Sequence, residues 1–199
     1  MSSTNRSEAR KSHVSDYYVT PILDIVNFLH NIEETELYKK FVCKGGDYVL
    51  DPCAGGDNSH LMSYPEALKQ VFPTVDVCTI DIRLDSLAEI KTDYLNYDFQ
   101  DMQRPCIIIT NPPFNIAQQV IEKALLDVVK GGYIIMLLRL NFFGSKGRFD
   151  FWKKQMPVLS YVHSQRMSFT DNKKTDSIEY MHCIWQQGVY PEFVKVKVI

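Results

Sequence analysis

Residues 106–138 read CIIITNPPFNIAQQVIEKALLDVVKGGYIIMLL. Cys106 to Thr110 is an uncharged, isoleucine-rich run, the composition of a strand buried on both faces. Ile116 to Val129 follows as an amphipathic helix, which Gly131-Gly132 stops. Tyr133 to Leu138 is a second buried strand. Apolar strands alternating with helices predict a mostly parallel sheet covered on both faces, a doubly wound α/β arrangement.

The alternation continues on both sides. Upstream, Thr20 to Asn31 is expected to be helical, with Ile22, Ile25, Val26 and Leu29 at helical spacing and Pro21 in the first turn. Asp47 to Leu50 is a short strand ending at Asp51, Pro65 opens a helix PEALKQVF, and Val75 to Ile80 is a strand ending at Asp81. Downstream, Val158 to Val162 and Tyr180 to Trp185 are strands expected to pair as an antiparallel hairpin with a long connection. Three strands therefore end in a polar residue: Asp51, Asp81 and Asn111. Sheets of this kind bind ligands beyond the carboxyl ends of their strands, so the three describe a site.

A chain of 199 residues suits one domain with a full hydrophobic core. Residues 1–15 read as a flexible tail and 16–199 as a single domain, with no separate target-recognition domain. No apolar run reaches the roughly 20 residues that span a bilayer, and MSSTNRSEARKSHVSD lacks the apolar core of a signal peptide. The expectation is a cytoplasmic protein. The five cysteines form no CxxC pair, and neither they nor the five histidines have metal-ligand spacing, so no metal is expected. The net charge of −2 is uneven: −7 over residues 1–138 and +5 over residues 139–199. A basic C-terminal third can face a polyanion, or be an ordinary solvated surface.

Four places carry chemistry. In Val49-Leu50-Asp51-Pro52-Cys53-Ala54-Gly55-Gly56-Asp57, the glycines allow a tight turn and close approach of backbone to a ligand, and Asp51 can hold an ammonium group. Asp81 can accept hydrogen bonds from ribose hydroxyls. Its other reading is an N-cap for DSLAEI, a task that Asp85 or Ser86 would do better. Asp93 can bond the exocyclic amine of an adenine, or be a surface acid. Asn111-Pro112-Pro113-Phe114 decides among these readings. Two prolines stiffen the chain and remove two donors, leaving the Asn111 amide oxygen and the Pro112 carbonyl as fixed acceptors beside an aromatic ring. That set suits an exocyclic NH₂ on a planar base.

These motifs resemble the S-adenosylmethionine-dependent amino-methyltransferases, which methylate adenine N6 or cytosine N4. DPCAGG resembles their first motif and NPPF their catalytic motif, while Tyr18-Val19-Thr20-Pro21 is similar to the Thr-Pro motif that binds the methionine end of the cofactor. With MSYPEAL, TIDIR…DYL and LLRLNF, the likeness is greatest to small phage-type DNA adenine methylases, over about residues 16–187. The resemblance implies a Rossmann-like class I methyltransferase fold in a bacterial or phage-infected cytoplasm. It implies S-adenosylmethionine held by Thr20, Pro21, Asp51, Pro52, Gly55, Gly56, Asp81 and Asp93, with Asn111, Pro112 and Phe114 catalytic. On this reading DNA is the partner, and the target base is flipped out and stacks on Phe114.

The stretch from Arg166-Met167-Ser168-Phe169 to Trp185 resembles the family's region around its eighth motif. It places Phe169 against the base, although Phe169 also reads as hairpin core. Pro113, Arg139, Lys146, Arg148, Arg166, Lys173 and Lys174 complete the expected substrate contacts. The chain departs from the family at Asp57, where a third glycine is usual, and in having no separate recognition domain. A second subunit is therefore a candidate partner for target recognition. The other readings are methylation of an RNA base or of a protein glutamine amide, for which the family usually has Tyr at position 114, and a non-catalytic cofactor-binding or interaction subunit.

Overall fold

The computed structural model describes residues 18–33, 35–42, 47–100, 102–169 and 177–199. The expected tail, Lys173 and Lys174 lie outside them. Eight strands form one sheet: β1 (Val49–Asp51), β2 (Val77–Asp81), β3 (Ile90–Lys91), β4 (Ile107–Thr110), β5 (Tyr133–Arg139), β6 (Leu159–Val162), β7 (Tyr180–Gln186) and β8 (Lys195–Val198). Their order across the sheet is β3-β2-β1-β4-β5-β7-β6-β8. The strands from β3 to β5 are all parallel, whereas β7 runs antiparallel to both β5 and β6. The expected pairing of the two late strands is thus present, and β7 also fills the gap between β6 and the parallel part of the sheet.

The central strands are buried on both faces because their side chains alternate between two cores. In β5, Ile134, Met136 and Leu138 enter one core, while Tyr133 and Ile135 enter the other. In β4, Ile108 points to the first side, and Ile107 and Ile109 to the second. Helix α4 (Ala117–Asp127) covers the first side with Val120, Ile121 and Ala124, together with α5 (Phe149–Lys154) through Phe151 and Trp152. The second side is covered by α1 (Ile22–Asn31), α2 (Glu36–Phe41) and α3 (Ser63–Val71). Ile25, Phe28 and Leu29 of α1 are fully buried, each contributing about 1.5–3 kcal/mol of transfer free energy.

Some boundaries differ from expectation for physical reasons. Helix α3 starts at Ser63, so Pro65 sits inside its first turn, where the missing N–H has no partner to lose. Pro21 stands just outside α1 as its N-cap. Residues 83–89 form a turn and extended chain where a DSLAEI helix was the alternative. Asp85 there pairs with Arg83, at 3.0 Å. The β2–β3 crossover thus lacks a covering helix, and Ile82, Leu84 and Leu87 remain exposed along it. Among the described residues no helix is long and apolar enough to cross a membrane.

Candidate active site

Because β1, β2 and β4 are parallel, the residues that follow them meet at one edge of the sheet. There they line a cleft of about 840 Å³, open mouth included. The walls include Thr20, Pro52, Gly55, Gly56, Asp81, Asp93, Asn111, Pro112 and Pro113. Nine of the residues singled out in the sequence, spread from position 20 to position 113, are therefore brought together.

The glycine loop needs its glycines. Gly55 and Gly56 have φ of +64° and +73°, the left-handed region that favours residues without Cβ. A Cβ on Gly56 would lie 2.7 Å from Met62 Cγ. The loop is tied to β2 by Asp81, whose Oδ2 accepts from the Gly55 N–H at 2.7 Å and whose Oδ1 accepts from the Arg83 N–H at 2.8 Å. Asp81 thus braces the cradle as well as lining it. Asp57, at the position of the usual third glycine, accepts from the Ser59 and His60 N–H groups and caps the next turn. Asp93 is braced similarly by the Leu95 N–H and the Asn96 side chain.

Asp51 is placed differently from expectation. It is fully buried and does not line the cleft, although the Pro52 and Cys53 that follow it do. Oδ1 accepts from the Cys53 N–H at 3.2 Å, while Oδ2 is buried without a hydrogen-bond partner. Burial pushes this carboxyl up to about 7. The nearby Tyr64, missed in the sequence, does line the cleft. Its place in MSYPEAL, a stretch that carries the family likeness, was the available signal.

Asn111 donates through Nδ2 to Thr20 Oγ1 at 3.0 Å. That bond orients the amide, and Oδ1 is left buried without a partner. The Pro113 carbonyl accepts from the Ile116 N–H at 3.1 Å, which singles out the Pro112 carbonyl as the backbone acceptor beside Asn111. Thr20 was expected at the methionine end of a ligand. It lines the cleft and in addition holds Asn111.

Phe114 does not line the cleft. It sits in an adjoining cluster with Tyr18, Phe169 and Tyr180, its ring 5.8 Å from Tyr18 and 5.9 Å from Tyr180. Phe169 is buried in that cluster. Tyr18, named in the Thr-Pro motif without a role of its own, belongs to both cleft and cluster. Its place two residues before Thr20 in extended chain was the available signal. Among the expected phosphate contacts, Lys146 is exposed and Arg166 pairs with Glu179 at 3.1 Å. Arg148 packs on the Phe142 ring and donates to the Phe142 carbonyl, and Arg139 lies over Phe114.

No family model matches the chain, and no curated protein matches it. Solved structures do. A Listeria monocytogenes protein assigned to the class I S-adenosylmethionine-dependent methyltransferases superposes with a TM-score of 0.63 at 15% identity, over 91% of this chain and 65% of its own. The M protein of the type I restriction enzyme EcoKI gives 0.59 at 14% identity, over 91% of this chain and 48% of its own. A Pyrococcus horikoshii protein assigned as an RNA methyltransferase gives 0.56 at 14% identity, over 86% and 88%. The chain thus spans less than two thirds of the first two. The strand order, the antiparallel β7 and these superpositions together give the chain a Rossmann-like class I methyltransferase fold.

Proposed function

We propose that this protein transfers the methyl group of S-adenosylmethionine to the exocyclic N6 of adenine in DNA, with residues 16–199 acting as one methyltransferase domain. The observation that carries the reading is the orphaned Asn111 Oδ1, a buried acceptor on the wall of the cleft. An unpartnered buried acceptor is costly unless a ligand supplies the donor.

The residues of the cleft fit the cofactor. The Gly55-Gly56 turn leaves a space that a Cβ would fill. Asp81 and Asp93 offer carboxylates to a ribose and an adenine amine, and Ile82 and Leu95 add apolar surface to the same walls. Thr20 and Pro52 also line the cleft and are assigned to the methionine part. When bound, S-adenosylmethionine supplies an electrophilic methyl on a sulfonium.

The chain's own task is then mostly positioning. The target amine donates one hydrogen to Asn111 Oδ1 and the other to the Pro112 carbonyl. Both acceptors are fixed, Asn111 by Thr20 and Pro112 by the proline-stiffened backbone. Held so, the nitrogen lone pair faces the cleft. Orientation of this kind is worth several kcal/mol without a strong base. The target base reaches the amide only by leaving the duplex stack. The exposed Lys146 and the basic C-terminal third supply the phosphate contacts, Lys173 and Lys174 included.

A radiolabelled methyl-transfer assay on DNA, RNA and protein tests the proposal. Label on the N6 of DNA adenine supports it. Label on RNA alone moves the substrate toward that of the Pyrococcus horikoshii neighbour, and label on none refutes the transferase reading. Asn111→Ala is the control that ties any signal to this site.

A further inference from the structure

Phe114 is the ring on which the proposed flipped base would stack, yet in the free protein that ring is not bare. The Arg139 guanidinium carbon lies over it, 4.2 Å from the centroid. A guanidinium is flat, delocalised and stacks on aromatic faces, so it presents to Phe114 much the surface a nucleobase would. Tyr18 and Tyr180 stand against the same ring, each tilted by 40°, and Phe169 closes the cluster behind them, 4.8 Å from Tyr180. The ring is therefore crowded, and among the described residues Arg139 is the non-aromatic side chain stacked on it.

Arg139 is not held there by other bonds. It is half-buried, and its Nε is buried with no hydrogen-bond partner among the described residues. No ion pair involving it is found among those residues. Its backbone, in contrast, is fixed as the last residue of β5, in register with Tyr180 of β7. The side chain can swing while its anchor stays. A cation stacked on a ring but otherwise unpaired is weakly held, and it gains a charged partner if it moves out to a phosphate.

We propose, building on the function proposed above, that Arg139 is a placeholder for the target base: it closes the Phe114 seat in the free protein and gives way when a flipped base arrives. The seat is then selective by competition. Only a planar group that stacks better than the guanidinium displaces it, and the displaced charge is set beside the nucleic-acid backbone.

The test needs no knowledge of a recognition sequence. Protein saturated with S-adenosylhomocysteine, which blocks the cleft, is titrated with adenosine and binding is read by saturation-transfer NMR. Arg139→Ala is expected to bind adenosine at least fivefold more tightly than wild type, and Phe114→Ala in that background is expected to abolish the gain. Arg139→Ser serves as a second opened variant, and thermal unfolding confirms that each is folded. Equal or weaker binding in both folded variants overturns the placeholder role, as does a gain that survives loss of Phe114. The methyl-transfer assay separates the two proposals. Wild type inert on DNA with the adenosine gain intact overturns the substrate and leaves the seat. Methylation of DNA with no gain overturns the seat alone.

Discussion

Asp51→Asn gives the sharpest physical test of the buried strand-end acid. Asp51 is fully buried, Oδ2 has no hydrogen-bond partner, and burial pushes the carboxyl up to about 7. In the unfolded chain an aspartate titrates near 3.9. Between those values the folded chain keeps a proton that the unfolded chain releases. Stability from this group is therefore present at low pH and is lost as pH rises toward 7. Between pH 5 and pH 8 the loss amounts to about 2–3 kcal/mol, at about 1.4 kcal/mol per pK unit. For a chain of this length that is roughly 5–10 °C in Tm. Asn keeps the shape and removes the titration. Urea unfolding of both proteins at pH 5 and pH 8 should show the Asn variant gaining about 2–3 kcal/mol on wild type across that range. Groups remote from Asp51 titrate alike in the two proteins and cancel in the difference. Parallel pH profiles would refute the claim that Asp51 enters the fold as a buried, unpaired acid.

Asn111→Ala is expected to abolish methyl transfer while leaving cofactor affinity within a few-fold, by calorimetric titration beside the activity assay; wild-type turnover would remove Asn111 from the mechanism. Asp81→Ala should weaken cofactor binding by about 1.5–3 kcal/mol, the scale of lost bonds to a charged acceptor. It should also lower Tm, because Asp81 ties the glycine loop to β2; unchanged affinity would leave only the brace. On the acid side, burial pulls His163 down to about 4 and holds His182 well below its ordinary value. The unfolded chain takes up these protons near 6.5, so stability is full above that pH and falls toward pH 4. His163→Gln should remove up to about 3 kcal/mol of that fall, measured by denaturation at pH 7 and pH 4.5. Reversing charge at Lys146, Lys173 and Lys174 together should raise KM for DNA and lower the salt slope with cofactor affinity untouched. Arg148 is spared because it braces Phe142. Wild-type methylation at moderate salt would move the DNA face elsewhere.

The sheet was legible where side-chain chemistry and backbone demand coincide. The run Ile107, Ile108, Ile109 is buried on both faces, and nothing but a central strand uses it so well. Helix α2 and strand β8 escaped because each is short. ELYKKF has six residues, and KVKV is exposed throughout and held chiefly by pairing with β6. The candidate site was legible as a set of strand ends, since chain direction alone delivers Asp81 and Asn111 to one edge. What was not legible is depth. Asp51 reads in sequence like Asp81, but its carboxyl is fully buried and does not line the cleft, whereas the Pro52 and Cys53 that follow it do. The Thr20–Asn111 bond and the Arg139–Phe114 stack join residues far apart in the chain, and no local spacing announces them.

The position of β7 has a consequence for how the chain comes off the ribosome. Strand β6 precedes β7 in synthesis, yet among the described residues its partners in the sheet are β7 and β8 alone. It can join the rest of the sheet only after β7 has been made. Until residue 186 emerges, the outer edge of β5 stays bare, and that strand carries six consecutive residues that are buried in the finished protein. A long apolar strand with an open edge is a template for pairing with other chains. A nascent chain stalled between β6 and β7 is thus the most aggregation-prone species on the route, and slowing translation there would cost yield in a way that slowing it earlier would not. Truncation just before β7 should give insoluble protein, whereas truncation just before β8 removes only an exposed outer strand.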